Sequence, residues 1–333
     1  MGRTLCKRTR QRILLGLITI AVIAGMSGIW EIQKAFAQEK YPARSIEFIV
    51  PWGPGGGADQ LARKSGKLLE GIVHVSLPVI NVPGATGGSG LAKLLAAPAD
   101  GYSMAIYIAD SHALLATSAQ RWKLNDIMPV ARMIKAPSFL FVAQNSRFKT
   151  WADFEKEAKA KPATLRVATL GYGSVDDITL TYLESKGIKV IQVPYANPGE
   201  RYISVLGDHV DALYEQAGDV AQYLKNKQIR PIIVFDTKRF PAFKDVPCSK
   251  ELGYEIYLPQ FRSVIVKAGT DPKKVQALSD AFKKAAETAE YKAFLHEQYS
   301  GEDSYMNTED TLKYIQSELD TMKKIYNAGK EKK

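Results

Sequence analysis

The sequence is short of the residues that usually announce an enzyme. It has only 4 histidines and 2 cysteines in 333 residues. His74, His112, His209 and His296 lie too far apart for an HExxH site or any close metal spacing. No Gly-x-Ser-x-Gly elbow occurs, which leaves a serine nucleophile of the hydrolase kind without support. Asp176 and Asp177 are adjacent, but neighbours on a helix point apart and cannot converge on one atom. There is no basic run interleaved with aromatics, which argues against nucleic acid. No Gly/Ser/Pro-rich linker, low-complexity tract or internal repeat is visible.

One absence depends on processing. Arg3, Lys7, Arg8, Arg10 and Arg12 precede an uncharged stretch from Ile13 to Trp30, and Ala35-Phe36-Ala37 supplies a small-x-small cleavage site. Residues 1–37 therefore read as a signal peptide, with Gln38 the first mature residue and the periplasm the destination. The alternative is an uncleaved anchor, since the run is just long enough to span. Cleavage removes six Lys/Arg and one Glu, and the net charge falls from +10 to +5. It also removes Cys6. Cys248 alone cannot form an internal disulfide, so the mature chain must rely on core burial.

What is present is a glycine loop. Ile46 to Val50 reads as a buried strand, and Leu61, Leu68 and Leu69 suit the inner face of a helix. Between them runs Pro51-Trp52-Gly53-Pro54-Gly55-Gly56-Gly57-Ala58-Asp59. Bare N–H groups at a helix start attract anions, and Asp59 stands where the N-cap is expected. The loop lacks the Gly-Lys-Ser/Thr ending of a phosphate loop. Gly53-Pro54-Gly55, with Ala58 in the last place, is a poor dinucleotide fingerprint.

Strand-like and helix-like segments alternate along the chain, which predicts an α/β architecture of two domains. Strands are expected at 45–51, 77–82, 102–108, 138–143, 164–169, 189–193, 210–214, 229–235 and 259–267. Helices are expected at 59–70, 87–96, 150–160, 175–186, 198–206, 217–225, 272–288 and 308–327. The last shows Leu312, Ile315, Leu319, Met322 and Tyr326 at helical spacing, with Thr308 as its N-cap. Asp271-Pro272 opens the preceding helix.

An ordered set of motifs then resembles a known family. Tyr41-Pro42, Ile49-Val50-Pro51 and Gly55-Gly56-Gly57-Ala58-Asp59 come first. Asn81-Val82-Pro83-Gly84-Ala85 with Gly87-Gly88, Pro98-Ala99-Asp100-Gly101-Tyr102 and Val193-Pro194-Tyr195 follow. Gly207-Asp208-His209-Val210-Asp211, Lys238-Arg239, Asp245-Val246-Pro247 and Ala268-Gly269-Thr270 complete it. Together they resemble the tripartite tricarboxylate transporter receptors, the Bug-type periplasmic solute-binding proteins.

The resemblance implies a type II periplasmic-binding-protein fold: two α/β lobes joined by crossing strands, with a ligand cleft between them. Lobe 1 would comprise 38–137 plus 260–333, and lobe 2 138–259. It implies a non-enzymatic, monomeric protein without a cofactor that binds a small organic carboxylate and delivers it to membrane permease subunits. Trp52, Gly55, Gly56, Gly57, Ala58 and Asp59 would form one carboxylate-holding loop. Gly171, Tyr172, Gly173, Ser174 and Val175 would form the other. Ser111, His112, Tyr195, Asn197, Glu215, Gln216, Phe261 and Arg262 match the remaining cleft positions. Two departures stand out: Asp110 replaces a small residue, and Val175, Asp176 and Asp177 replace small polar ones. Trp52, Tyr172, Tyr214 and Phe261 suggest an aromatic or partly apolar acid. Each residue also has a plain structural reading: His112 as a satisfied core histidine, Tyr195 as core, Arg262 as partner of a fixed acid such as Glu215. A ligand-sensing partner of a membrane kinase, or a secreted α/β hydrolase, is the rival function.

Overall fold

The computed structural model describes residues 41–118 and 120–330. The expected signal peptide lies outside the described residues. The fold proper is the unit Arg44–Lys333, and two five-stranded mixed sheets organise it.

The first sheet contains β1 (Glu47–Val50), β2 (Val79–Asn81), β3 (Ser103–Ile108), β4 (Ile127–Ala136) and β10 (Gln260–Lys267), in the order β2-β1-β3-β10-β4. The second contains β5 (Ser138–Ala143), β6 (Arg166–Thr169), β7 (Ile191–Pro194), β8 (Ala212–Glu215) and β9 (Ile229–Phe235), in the order β7-β6-β8-β5-β9. Both run parallel, parallel, antiparallel, antiparallel across the sheet. The repeat invisible in the sequence is thus present in the topology. Strand pairing constrains direction and burial pattern, not residue identity.

The chain passes between the sheets at Pro137, between β4 and β5, and again between β9 and β10. This gives a two-lobed α/β molecule with crossing connections. Helices cover the sheets: α1 (Gly57–Val73), α2 (Gly88–Ala96), α3 (Ala109–Thr117), α4 (Trp151–Ala160), α5 (Val175–Glu184), α6 (Pro198–Ser204), α7 (Ala221–Lys225), α8 (Pro272–Glu287), α9 (Ala289–Glu297) and α10 (Thr308–Lys330). The largest core cluster includes Tyr107, Trp122, Trp151, Tyr214 and Phe261. None of the described helices is long and apolar enough to cross a membrane.

β4, α3 and α9 have no counterpart among the sequence-based expectations. Buried on nearly all positions, β4 lacks the alternation that marks a half-exposed strand. The stripe of α10 also shifts: Thr311, Ile315, Leu319 and Met322 are buried, while Leu312 is 44% exposed. Its cap is Asn307, whose Oδ1 accepts the Asp310 N–H at 2.9 Å; the Thr308 hydroxyl instead donates to the Val130 carbonyl. Asp271 caps α8 through the Lys273 N–H, as its position before Pro272 predicts.

Candidate ligand-binding site

Each lobe presents a glycine loop after a parallel strand, and the two loops share one design. Loop 52–58 follows β1 and opens α1. Gly55 has φ +82°, and Gly56 is the N-cap with φ −77° and ψ 169°. Loop 170–175 follows β6 and opens α5. Gly173 has φ +81°, and Ser174 is the N-cap with φ −78° and ψ 175°. Asp59 is therefore three residues inside the helix and not its cap. Its carboxylate turns back to accept the Gly55 N–H at 3.0 Å, as Asp177 does for the Gly173 N–H at 2.8 Å. The positive φ required just before each cap selects glycine there.

Asp59 is a brace for its loop. Besides Gly55 it accepts from Arg63 Nε and from the Asn81 amide, both at 3.0 Å. Burial opposes its ionisation, but these bonds and the Arg63 charge outweigh it and hold the carboxyl below its ordinary value.

The loops differ in which N–H groups remain open. In the second loop Leu170 N–H donates to Asp176, Gly173 N–H to Asp177 and Ser174 N–H to the Gly171 carbonyl. The first helical N–H, Val175, donates at 3.0 Å to Asp110 Oδ1, which α3 supplies from the other sheet's lobe. Gln260 Nε2 donates to the other oxygen of Asp110. Around α1, by contrast, the N–H groups of Gly56, Gly57 and Ala58 form no hydrogen bond among the described residues.

One buried arginine stands over that open helix start, and a second lies on α6. Arg262, on β10, ion-pairs with Asp219 at 2.5 Å and donates to Gln216 Oε1 at 3.3 Å. A side chain on Gly57 would overlap both the Asp219 carboxylate and the Arg262 guanidinium. Arg201, on α6, ion-pairs with Glu215. So Arg262 does have a fixed acid, but it is Asp219, and Glu215 belongs to Arg201. Burial pushes the Glu215 carboxyl up, with Arg201 pulling against it, to about 7. Arg201 Nε and Nη1, Tyr202 OH, Trp52 Nε1 and Asp219 Oδ1 are buried without a hydrogen-bond partner. Pro198 closes the rim: a Cβ on Gly56 would sit 2.9 Å from its Cγ.

Several expected cleft residues face elsewhere. His112 is fully buried, with Nδ1 2.8 Å from the Tyr107 hydroxyl and Nε2 2.8 Å from the Ile315 carbonyl. The carbonyl can only accept, so Nε2 carries the proton and Nδ1 accepts. Burial lowers its pKa to about 4. Phe261 points from β10 to the side opposite Arg262 and packs edge-on against His112 and Tyr314. Tyr214 stacks on Phe235 and hydrogen-bonds Thr179. Two of the four aromatics expected in the cleft, Tyr214 and Phe261, thus lie in the core. Tyr172 is 66% exposed. Ser111 is buried, its hydroxyl 3.5 Å from the Thr86 carbonyl. Tyr195 is half-buried, Gln216 bonds Ser138, and Asn197 caps α6 through the Gly199 N–H at 2.9 Å.

Arg201, Tyr202, Asp219 and Gln260 belong to the same cluster and were not among the residues expected there. Asn197-Pro198 marks a helix start in the sequence, but nothing local shows which face of that helix turns inward. A separate cavity of about 940 Å³ lies beside the crossing segments, lined by Pro137, Phe240, Tyr257 and Pro259 among others. No residue of either glycine loop lines it.

The geometry agrees with what comparison with known proteins finds. The model of the tripartite tricarboxylate transporter family receptor matches residues 62–330. The chain belongs to this receptor family. A protein of Cupriavidus necator, described as a UPF0065 protein in the gbd 5′ region, is 27% identical over 317 residues, covering 95% of each chain. BugT of Bordetella pertussis is 27% identical over 268 residues, 78% of this chain and 82% of its own. Among solved structures, the periplasmic binding protein BugD superposes with a TM-score of 0.79 at 19% identity, over 87% of this chain and 98% of its own. MatC from Rhodopseudomonas palustris, with bound malate, gives 0.78 at 19% identity over 86% and 100%. The family is one of solute-binding receptors, not enzymes, and the fold is the two-lobed α/β fold of periplasmic binding proteins.

Proposed function

We propose that this receptor captures a small organic carboxylate between its lobes and delivers it to the membrane subunits of a tripartite tricarboxylate-type transporter. The observation that carries the reading is the open start of α1. Three consecutive N–H groups without partners among the described residues, a helix dipole and the buried Arg262 guanidinium meet there, with the unpartnered Tyr202 hydroxyl beside Gly56. The malate carried by MatC and the adipate carried by a second R. palustris neighbour support the same chemistry.

In this reading lobe 1 is 38–137 plus 260–333 and lobe 2 is 138–259. The ligand carboxylate lies against Gly56, Gly57 and Ala58, with Arg201 and Arg262 as counter-ions and Trp52 and Tyr202 as neutral donors. Ser174, bonded to the Gly171 carbonyl, and Val175, bonded across the lobes to Asp110, shape the opposite wall. Hinge closure brings Pro198 onto Gly53 and Gly56, so water is excluded and each charge–charge contact strengthens. The protein acts as a monomer in the periplasm after cleavage following Ala37.

Thermal unfolding against carboxylates and their own amides tests this. A ligand at a hundred times its Kd adds about 2.7 kcal/mol, a shift of a few degrees for a chain this size. Acids that stabilise while their amides do not are the expected result, because an amide places donors where the site already has donors. Equal shifts from acid and amide would remove the anion from the site.

A further inference from the structure

The starts of the two glycine-loop helices each face an aspartate from the opposite lobe. Asp110, on α3, accepts the Val175 N–H at the start of α5. Asp219, in the turn between β8 and α7, lies against Gly57 at the start of α1, where a Cβ would overlap its Oδ1. The two acids are held unequally. Both oxygens of Asp110 are bonded, one to the Val175 N–H and one to the Gln260 amide. Burial raises its pKa, and these bonds with the Arg201 and Arg262 charges pull against that. Asp219 uses one oxygen. Its Oδ2 pairs with Arg262 Nη2 at 2.5 Å, while Oδ1 has no hydrogen-bond partner among the described residues, in a side chain only 4% exposed. The N–H groups of Gly56, Gly57 and Ala58, at the same helix start, are equally without partners among the described residues. A buried acceptor and three donors that do not meet leave hydrogen bonds unmade.

A helix start with a guanidinium above it is a seat for one carboxylate. Asp219 fills that seat without using it fully, because its tether brings it to Arg262 but not into line with the N–H groups. A free carboxylate has no such tether and can meet both. It cannot enter beside Asp219: a single carbon on Gly57 already overlaps both Asp219 and the Arg262 guanidinium, and two carboxylates in one seat repel. Asp219 belongs to a turn, so its side chain can leave without unmaking a strand or helix.

We propose that Asp219 is a built-in stand-in for the ligand, and that the incoming carboxylate displaces it from Arg262 and takes the Gly56, Gly57 and Ala58 N–H groups as well. This exchange rests on the carboxylate reading above and adds the group that the ligand must evict. One ion pair replaces another, so Arg262 is never left unpaired, and three donors gain an acceptor while Asp219 turns outward to water. Arg262 keeps its place against Gly57 in both states. Asp110, bonded through both oxygens, stays at α5. Wild-type affinity is then lower than an empty seat would give, in proportion to the fraction of molecules in which Asp219 has left.

Calorimetry with acetate, pentanoate, succinate and L-malate tests it. Asp219→Asn keeps the shape of the side chain and removes the competing charge. We expect it to bind at least one of these probes about tenfold or more tightly than the wild type does, a gain that loss of a merely structural ion pair would not produce. A crystal structure of the wild type with its tightest probe separates eviction from a general charge effect: the probe's carboxylate should lie within hydrogen-bond distance of Arg262, with the Asp219–Arg262 pair broken. Asp219→Ala serves if the amide variant does not fold, and the wild-type complex decides if neither does. Variants that bind no tighter than the wild type overturn the inference and leave the carboxylate reading standing. So does a complex in which Asp219 still holds Arg262. If no probe binds the wild type or either variant, the carboxylate reading falls and the inference with it.

Discussion

Replacing Gly57 by alanine adds one methyl group at the point where the lobes meet, and the structure assigns its cost to one state only. Gly57 is the first residue of α1 and has no positive φ, so alanine fits the helix. Helix propensity even favours it, by at most about 1 kcal/mol. The methyl, however, would lie closer than 3.0 Å to both Asp219 and Arg262. That pair is buried, with both side chains 4% exposed. Its members must separate or the lobes must stay apart. Breaking a buried pair costs about 3–5 kcal/mol, which exceeds the propensity gain. The closed state therefore loses, and a ligand that needs it binds about a hundredfold more weakly at 1.4 kcal/mol per tenfold. Gly71→Ala is the control. It lies in the same helix with nothing within 4 Å of a new Cβ, so it should leave binding unchanged. Calorimetry gives the affinity for the best carboxylate, and small-angle scattering gives the radius at saturation. We expect Gly57→Ala to melt no lower than wild type without ligand, to bind at least a hundredfold more weakly and to show no compaction. Binding within threefold of wild type, with normal compaction, would refute the contact between Gly57 and the Asp219–Arg262 pair.

Other outcomes follow from the same contacts. Gly56→Asp should fold, since φ −77° suits any residue, but lose binding, because its side chain meets Pro198 and repels an anion; normal affinity by calorimetry would separate loop 52–58 from the site. Asp59→Ala should lower unfolding free energy by roughly 1–3 kcal/mol, as charged hydrogen bonds to Gly55, Arg63 and Asn81 vanish; denaturant unfolding with no change in midpoint would refute the brace. The folded pKa of Glu215, about 7, is above the ordinary carboxylate value, so its stability contribution is full below about pH 4.5 and is lost as pH rises through 7. His112 acts oppositely: its folded pKa of about 4 is depressed, so its contribution is present above pH 6.5 and is lost as pH falls through 4. Melting temperature should therefore rise as pH drops from 8 to 6.5, and Glu215→Gln should flatten that limb; an unchanged limb in the variant would assign the effect to other groups.

What the sequence determined is what neighbours along the chain control. The glycine loops, most strands and helices, the Asp271 cap and the family motifs are legible because periodicity and turn chemistry act within a few residues. The family membership and the two-lobed fold follow from that ordered set of motifs. Tertiary structure alone decided which groups meet. Asp59 became a brace inside α1, because the backbone entered the helix at Gly56. Phe261 and His112 turned into the core, because β10 presents Arg262 and Gln260 on its other face. Arg262 found Asp219, 43 residues away, and Val175 found Asp110, 65 residues away. Two loops of one local design ended with opposite characters, open donors at α1 and a carboxylate already seated at α5. That difference comes from side chains supplied across the lobes. Coulomb and hydrogen-bond energies depend on distance in space, and only the packing of the lobes sets that distance.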